Sequence, residues 1–251
     1  MIQGLAEFLP VSSSGHLALA GRLFGLKEGA LQFTVVLHLA TLVSVFVVYR
    51  AEIIALIKKP FQKTTGLLVA GTIPVVIIAL IAGDFIEELF SDGVLLGLGF
   101  FITGAFLLLS DKIKIPGDKK SFDKISYKDA CLIGLFQGIA IAPGVSRSGS
   151  VITGALITGV ERKPAADFSF LLSIPAILGG AVMVLKDFLS AGEVISISPA
   201  AFAAGFITAA VSGYFAVRIM LRAIVKYKLK YFSYYVFAVG IFSIVNHIVR
   251  S

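Results

Sequence analysis

The sequence predicts an all-α polytopic membrane protein: six transmembrane helices plus two re-entrant helix–loop–helix hairpins in an inverted-topology repeat. Three observations carry that prediction. Of 251 residues, 57% are hydrophobic and 15% charged, with mean hydropathy +0.96, whereas a soluble domain has about 45–50% apolar and about 25% charged residues. The apolar residues fall in blocks long enough to cross roughly 30 Å of hydrocarbon. Two of those blocks are interrupted at mid-length by similar clusters of Pro, Gly and Ser. Soluble enzyme folds are thereby excluded, and so is an open sheet, whose edge groups lipid cannot satisfy. The net charge of +7 is assigned to loops, so no nucleic-acid partner is expected. The one cysteine, Cys131, rules out an intrachain disulfide and a cysteine-based zinc cluster.

Six segments are long and apolar enough to span, taking Pro, Gly and charges as their ends: residues 31–49, 66–82, 94–109, 164–185, 199–221 and 234–249. Residues 1–26 and 130–160 are apolar too, but each is broken, the first at Pro10-Val11-Ser12-Ser13-Ser14-Gly15-His16 and the second at Pro143-Gly144-Val145-Ser146-Arg147-Ser148-Gly149. Irregular backbone at membrane depth survives only where protein or a wet cavity surrounds it, so each reads as a hairpin that enters and leaves on one side.

The two hairpins align at an offset of 134 residues, with seven identities in thirteen positions from Gln3 to Gly15. This is an internal repeat: unit one is residues 1–110, a polar connector is 111–129, and unit two is 130–251, together forming one membrane domain. Each unit holds one hairpin and three spans. Three is odd, so the second unit enters upside down, and hairpins dipping from opposite faces bring their tips together near the midplane. The loop charges agree. Arg50, Lys58, Lys59, Lys63, Lys112, Lys114, Lys119, Lys120, Lys124, Lys128, Arg222, Lys226, Lys228 and Lys230 fall on one side. The loop expected at 83–93 on the other side carries Asp84, Glu87, Glu88 and Asp92. Basic loops are cytoplasmic, so both termini are expected outside.

Where the tips diverge, the differences are chemical: Glu7 lies opposite Ile141, Ser13 opposite Arg147, and His16 opposite Ser150. An ionisable group within the membrane is costly and marks a functional site. Arg147 has no route by which to snorkel and calls for an anion. His16 has phosphoryl or proton-transfer chemistry open to it. Gln3, one turn before Glu7, either bonds a neighbouring helix or joins the site. Ser12, Ser14, Ser146, Ser148 and Gly149 open the two half-helices, whose backbone donors and positive ends suit an anion. His38, alone among Leu and Val, reads as a packing residue; Asp167 and His247 read as structural or interfacial, and Gly93, Gly97 and Gly99 as helix-packing positions. A single carboxylate among anion-seeking groups would repel phosphate unless a divalent cation lay between, so the set reads as a phosphate site with Glu7 as metal ligand.

The stretch Gln3-Gly4-Leu5-Ala6-Glu7-Phe8-Leu9-Pro10-Val11-Ser12-Ser13-Ser14-Gly15-His16, the second cluster at Pro143 to Gly149, and Asp167-Phe168-Ser169-Phe170-Leu171-Leu172 resemble the undecaprenyl pyrophosphate phosphatases associated with bacitracin resistance. The resemblance runs over most of the chain. It implies removal of the terminal phosphate of undecaprenyl pyrophosphate, which returns the monophosphate carrier lipid to peptidoglycan synthesis, in the bacterial cytoplasmic membrane. It also implies a divalent cation, Mg²⁺ or Ca²⁺. By position, Glu7 handles metal or proton, Ser13 and His16 are the candidates for attack or proton relay, and Arg147 binds the pyrophosphate. Ser13, activated by His16 or Glu7, is the first choice of nucleophile, with direct attack by water the alternative. Many members carry a second Glu where this chain has Gln3, which argues against a two-carboxylate metal site, and members usually begin further upstream, so either a short first half-helix or a native start upstream of Met1 is expected. The partners are the lipid substrate and membrane lipid, and a homodimer is compatible with the sequence. Two other readings stand beside the enzyme: an inverted-repeat secondary transporter, which would use Arg147 and the helix ends equally well, and a flippase for the carrier lipid.

Overall fold

The structure, a computed structural model, describes residues 1–25, 30–91, 93–113, 119–191 and 198–250. Its helices are α1 (Ile2–Phe8), α2 (Ser13–Phe24), α3 (Ala30–Val48), α4 (Arg50–Lys58), α5 (Lys63–Ser91), α6 (Gly93–Lys112), α7 (Tyr127–Ile139), α8 (Arg147–Ile157), α9 (Arg162–Ala191), α10 (Pro199–Lys226) and α11 (Lys230–Arg250), with a 3-10 turn at Phe122–Lys124. Among the described residues the only extended pairing is an isolated bridge between Lys120 and Val160. Among the described residues five helices are long and apolar enough to cross a membrane, and α3 with α4, bent by 86°, makes a sixth candidate. The protein is a multi-pass helical membrane protein.

Two elements differ from expectation. Helix α5 continues to Ser91, through the loop expected at 83–93, because Phe85, Ile86, Leu89 and Phe90 are helix-compatible and no proline intervenes; charges alone do not end a helix. Asp92 and Lys114 lie outside the described residues, as do the side chains of Asp84, Glu87 and Glu88, so the expected acidic loop cannot be set beside the fold. Helix α4 was not expected at all. Its Ile54 and Ile57 are exposed beside Arg50, Glu52 and Lys58, the make-up of a short helix lying along an interface.

The packing is reciprocal. The second long helix of each unit lies on the first helix of the other, α5 on α7 and α10 on α1, while α6 packs along α11. Lipid gives no hydrophobic drive to such pairings, so close backbone approach must hold them. A side chain at Gly134 would fall on the backbone of Gly71, and one at Gly97 on Ile244 and Gly240. The interior is filled by Phe8, Leu67, Ile152, Phe168, Phe170 and Leu172, with Phe8 meeting Phe170 edge-on at 5.6 Å. Asp111 staples three helices: its carboxylate accepts from Arg162 Nη2 at 2.6 Å and from the Lys230 backbone N–H at 2.8 Å. The connector is anchored as well, since Ile125 is fully buried and Lys120 exchanges backbone hydrogen bonds with Gly159 and Glu161.

Candidate active site

Both broken segments are built by the same local rules. Helix α1 stops at Phe8 because the residue preceding Pro10 is pushed out of the helical region, and Leu9 is extended. The chain then reverses through Ser12, whose φ of +69° is unusual for a residue with a side chain. Ser12 also caps α2, its Oγ accepting from the Gly15 N–H at 3.2 Å. In the second segment the reversal falls on Gly144, φ +80°, and Ser146 Oγ accepts from the Gly149 N–H at 3.2 Å to cap α8. Each cap is paired with the serine two residues on at 3.3 Å, Ser12 with Ser14 and Ser146 with Ser148.

The tips touch. Ser148 Oγ donates to the Leu9 carbonyl at 3.2 Å, and a Cβ on Gly15 would press on Gly144 Cα. Helix α6 seats the second tip: Thr103 Oγ1 donates to the Gly144 carbonyl at 2.9 Å and accepts from the Ser146 N–H at 2.8 Å. Gly99, expected only to pack helices, leaves the space that the Pro143 carbonyl occupies.

At this contact the diverged residues meet. The Glu7 side chain is 3% exposed. Its Oε1 lies 3.2 Å from Arg147 Nη1, and its Oε2 accepts from Ser13 Oγ at 2.5 Å and from Gln3 Nε2 at 2.9 Å. The Arg147 side chain keeps 28% exposure, and its Nη1 has no aligned hydrogen bond. A buried carboxylate is thus neutralised by a cation from the opposite tip, and that cation has donor capacity to spare.

His38 is a correction. Expected as a packing residue, it sends Nε2 to 3.5 Å from Glu7 Oε2, while Nδ1 donates to the Thr34 carbonyl at 2.8 Å. The signal was present, because an ionisable side chain inside a spanning helix carries the same functional presumption as Glu7. His16 points elsewhere than expected. Its Nδ1 donates to the Ser12 carbonyl at 2.7 Å, and its Nε2 meets the Tyr235 hydroxyl at 2.8 Å, the two rings stacked at 5.6 Å. Glu7, not His16, therefore receives the Ser13 hydrogen. Asp167 accepts from Tyr49 at 2.8 Å and from Lys163 at 2.9 Å, away from these tips.

The residues suit a lightly held divalent cation. Among the described residues no group of three His, Cys, Asp or Glu forms a cage. Mg²⁺ is usually bound by one or two carboxylates together with substrate phosphate oxygens. Glu7 supplies the carboxylate, and the Gln3 oxygen beside it is buried without a hydrogen-bond partner.

Fold and site together define a multi-pass membrane protein with a buried acid, serine and arginine joined across two repeated tips. The chain belongs to the family described as bacitracin resistance protein BacA, whose model it matches over residues 1–242. It is 49% identical over 242 residues to an undecaprenyl-diphosphatase of Carboxydothermus hydrogenoformans, covering 96% of this chain and 92% of that one. It is 46% identical over 241 residues, with the same coverage, to undecaprenyl-diphosphatase 4 of Bacillus thuringiensis and to undecaprenyl-diphosphatase 3 of Bacillus cereus.

Proposed function

We propose that this protein hydrolyses undecaprenyl pyrophosphate to undecaprenyl phosphate and inorganic phosphate in the bacterial cytoplasmic membrane, recycling the carrier lipid for peptidoglycan synthesis. The observation that carries this reading is Glu7, which touches Ser13 of its own tip and Arg147 of the other.

The isoprenoid tail stays in lipid while the headgroup enters between the tips. Arg147 takes phosphate oxygens with its unused N–H groups. The half-helix ends capped by Ser12 and Ser146 add backbone dipoles, and Ser14, Ser148 and Gly149 line the same ends. Glu7 and Gln3 would hold the divalent cation, Mg²⁺ or Ca²⁺, which when bound would supply charge neutralisation. Ser13 Oγ forms a bond to the terminal phosphorus as the bridging P–O bond breaks; undecaprenyl phosphate leaves with the electron pair, and the Ser13 proton passes to Glu7. Water then attacks the phosphoserine, Glu7 relays a proton back to Ser13 Oγ, and phosphate departs. Direct attack by water, with Glu7 as base, uses the same contacts. Positioning and neutralisation supply most of the acceleration.

The chain is taken to cross the membrane six times, with both hairpins re-entrant from opposite faces and both termini outside. The basic loops support that orientation, and the reciprocal packing of α5 on α7 and α10 on α1 supports an inverted repeat. One chain supplies both tips, so the site is complete in a monomer and a homodimer would carry two. The acid–serine pair separates this reading from an anion carrier, which needs only the cationic half of the site.

The test is release of inorganic phosphate from undecaprenyl pyrophosphate by the purified protein in detergent, with and without a chelator. Release that the chelator abolishes is expected. A folded preparation that releases none, yet moves anions or carrier lipid across reconstituted vesicles, overturns the proposal.

A further inference from the structure

We infer that His38 is a third protein ligand, beside Glu7 and Gln3, of the divalent cation held there, so that the centre is a mixed nitrogen and oxygen site. The inference rests on the metal-assisted reading above and assigns a residue to it.

The imidazole is already oriented as a ligand. Its Nδ1 donates to the Thr34 carbonyl one turn back on α3, so the neutral form of the ring carries its proton on Nδ1 and turns the Nε2 lone pair toward Glu7 Oε2. Metal-bound histidines commonly have their second nitrogen tied in this way. Their separation of 3.5 Å is too long for a hydrogen bond. It is the span of two bonds of about 2.1 Å meeting at about 110°, ordinary lengths for imidazole and carboxylate on a small divalent cation.

Gln3 fits the same geometry. Its Nε2 sits 2.9 Å from Glu7 Oε2 while its Oε1 is buried without a partner. An amide turned over keeps its shape, so the exchange would put the orphan oxygen 2.9 Å from Oε2. That is close to the edge of an octahedron built from bonds of about 2.1 Å. Arg147 occupies the other carboxylate oxygen, so the cation would share Oε2 with the hydrogen bond that Ser13 Oγ donates to it. Imidazole is a transition-metal ligand, while carboxylate and carbonyl oxygens suit Mg²⁺, Ca²⁺ and Mn²⁺ alike, so Mn²⁺, the one of these three that is a transition metal, should be bound more tightly than Ca²⁺.

The experiment uses the whole purified protein in detergent with Mn²⁺ as the probe. Pulsed electron paramagnetic resonance reads nitrogen coupling to the bound ion, and a titration gives its affinity. Wild type should show coupling to one imidazole nitrogen, and His16→Gln should keep it. His38→Gln should lose it and bind Mn²⁺ about 10-fold or more weakly, with a smaller change for Ca²⁺. Wild-type Mn²⁺ without nitrogen coupling, or coupling that survives in His38→Gln, overturns the assignment, and the first outcome requires no variant to fold. Phosphate release from undecaprenyl pyrophosphate is measured on the same preparations. Metal-dependent release without nitrogen coupling removes His38 and leaves the phosphatase standing; no release removes the phosphatase whatever the spectrum shows.

Discussion

The tips around Ser12 and Ser146 share a frame and differ in chemistry. Both have a serine accepting from a glycine N–H three residues on, and both pair that serine with the serine two residues on. The shared Val-Ser-x-Ser-Gly sequence accounts for this, since serine is a good cap and glycine lets the neighbouring backbone approach. Beside the caps, one copy has Ser13 and the other Arg147, and six residues earlier Glu7 stands against Ile141. The frame holds two helix ends together, and the exchanged residues make the contact reactive. Neither tip alone holds acid, hydroxyl and guanidinium.

The largest effects should come from removing either half of the pair that crosses between tips. Glu7→Gln and Arg147→Ala should each lower phosphate release by about 10²–10⁴-fold, since each takes away a proton acceptor or a charge aimed at the reacting phosphate. Breaking a buried ion pair also destabilises by about 3–5 kcal/mol at most, and the partial exposure of Arg147 makes the cost smaller here. Rates are therefore compared on monodisperse protein. Wild-type rates in either variant would mean that the tips meet for packing alone.

A sharper contrast lies between two serines one alignment column apart. Ser13 hydrogen-bonds Glu7, whereas Ser148 bonds the Leu9 carbonyl. Ser13→Ala should cost about 10²-fold or more in rate if its oxygen is the nucleophile. Ser148→Ala should cost less than about 10-fold and lower stability by about 1 kcal/mol, the ordinary worth of one hydrogen bond. A burst of phosphoserine after rapid quench in wild type, absent in Ser13→Ala, identifies the path. Equal rates for Ser13→Ala and wild type would leave water as the attacking group.

Much of this was legible from the residues alone. The spans stand out because apolar runs of such length have no other use, and the tips because Pro10, Pro143 and the serine–glycine pairs interrupt them. The pairing of Glu7 with Arg147 follows from the repeat, which puts the diverged positions at one contact. His38 was hidden because a lone histidine in an apolar helix looks the same whether it faces a carboxylate or fills space; the face of α3 it occupies is decided by packing against α10 and α1. The partner of His16 was hidden for a related reason, since Tyr235 is 219 residues away. Helix α4 escaped notice because nine residues are too few for a clear period.

The two reversals also differ in strain. Gly144 adopts its positive φ freely, while Ser12 adopts one with a side chain in place. An added methyl at Gly144 would meet the left-handed penalty of about 1–2 kcal/mol and press on the Leu96 carbonyl and the Phe100 N–H. Gly144→Ala should therefore lower stability by about 2–4 kcal/mol, read as a fall in melting temperature in detergent. Ser12→Gly relieves strain but weakens the cap by a few tenths of a kcal/mol, so its net change should stay within about 1 kcal/mol. If the two substitutions had equal effects, the second tip would not be wedged against α6.

The smallest expected effect separates the two broken segments at their first helices. Helix α1 begins without a side-chain cap, whereas α7 begins with a capping box in which Ser126 Oγ accepts from the Asp129 N–H and Asp129 accepts from the Ser126 N–H. Burial pushes the Asp129 carboxyl up, but the Lys120 ammonium and the Ser126 N–H and hydroxyl outweigh it, leaving it below its ordinary value of 3.8. A carboxyl lowered on folding adds stability that is fully present above its unfolded value and is lost as pH falls through the folded one. The window is therefore acid, below about pH 4, and neutral conditions should leave it untouched. Asp129→Asn should cost about 1 kcal/mol at pH 7. Its melting temperature should also approach that of wild type as the pH is lowered, whereas a constant gap between the two down to pH 3 would mean that the charge on Asp129 contributes nothing to holding the second broken segment.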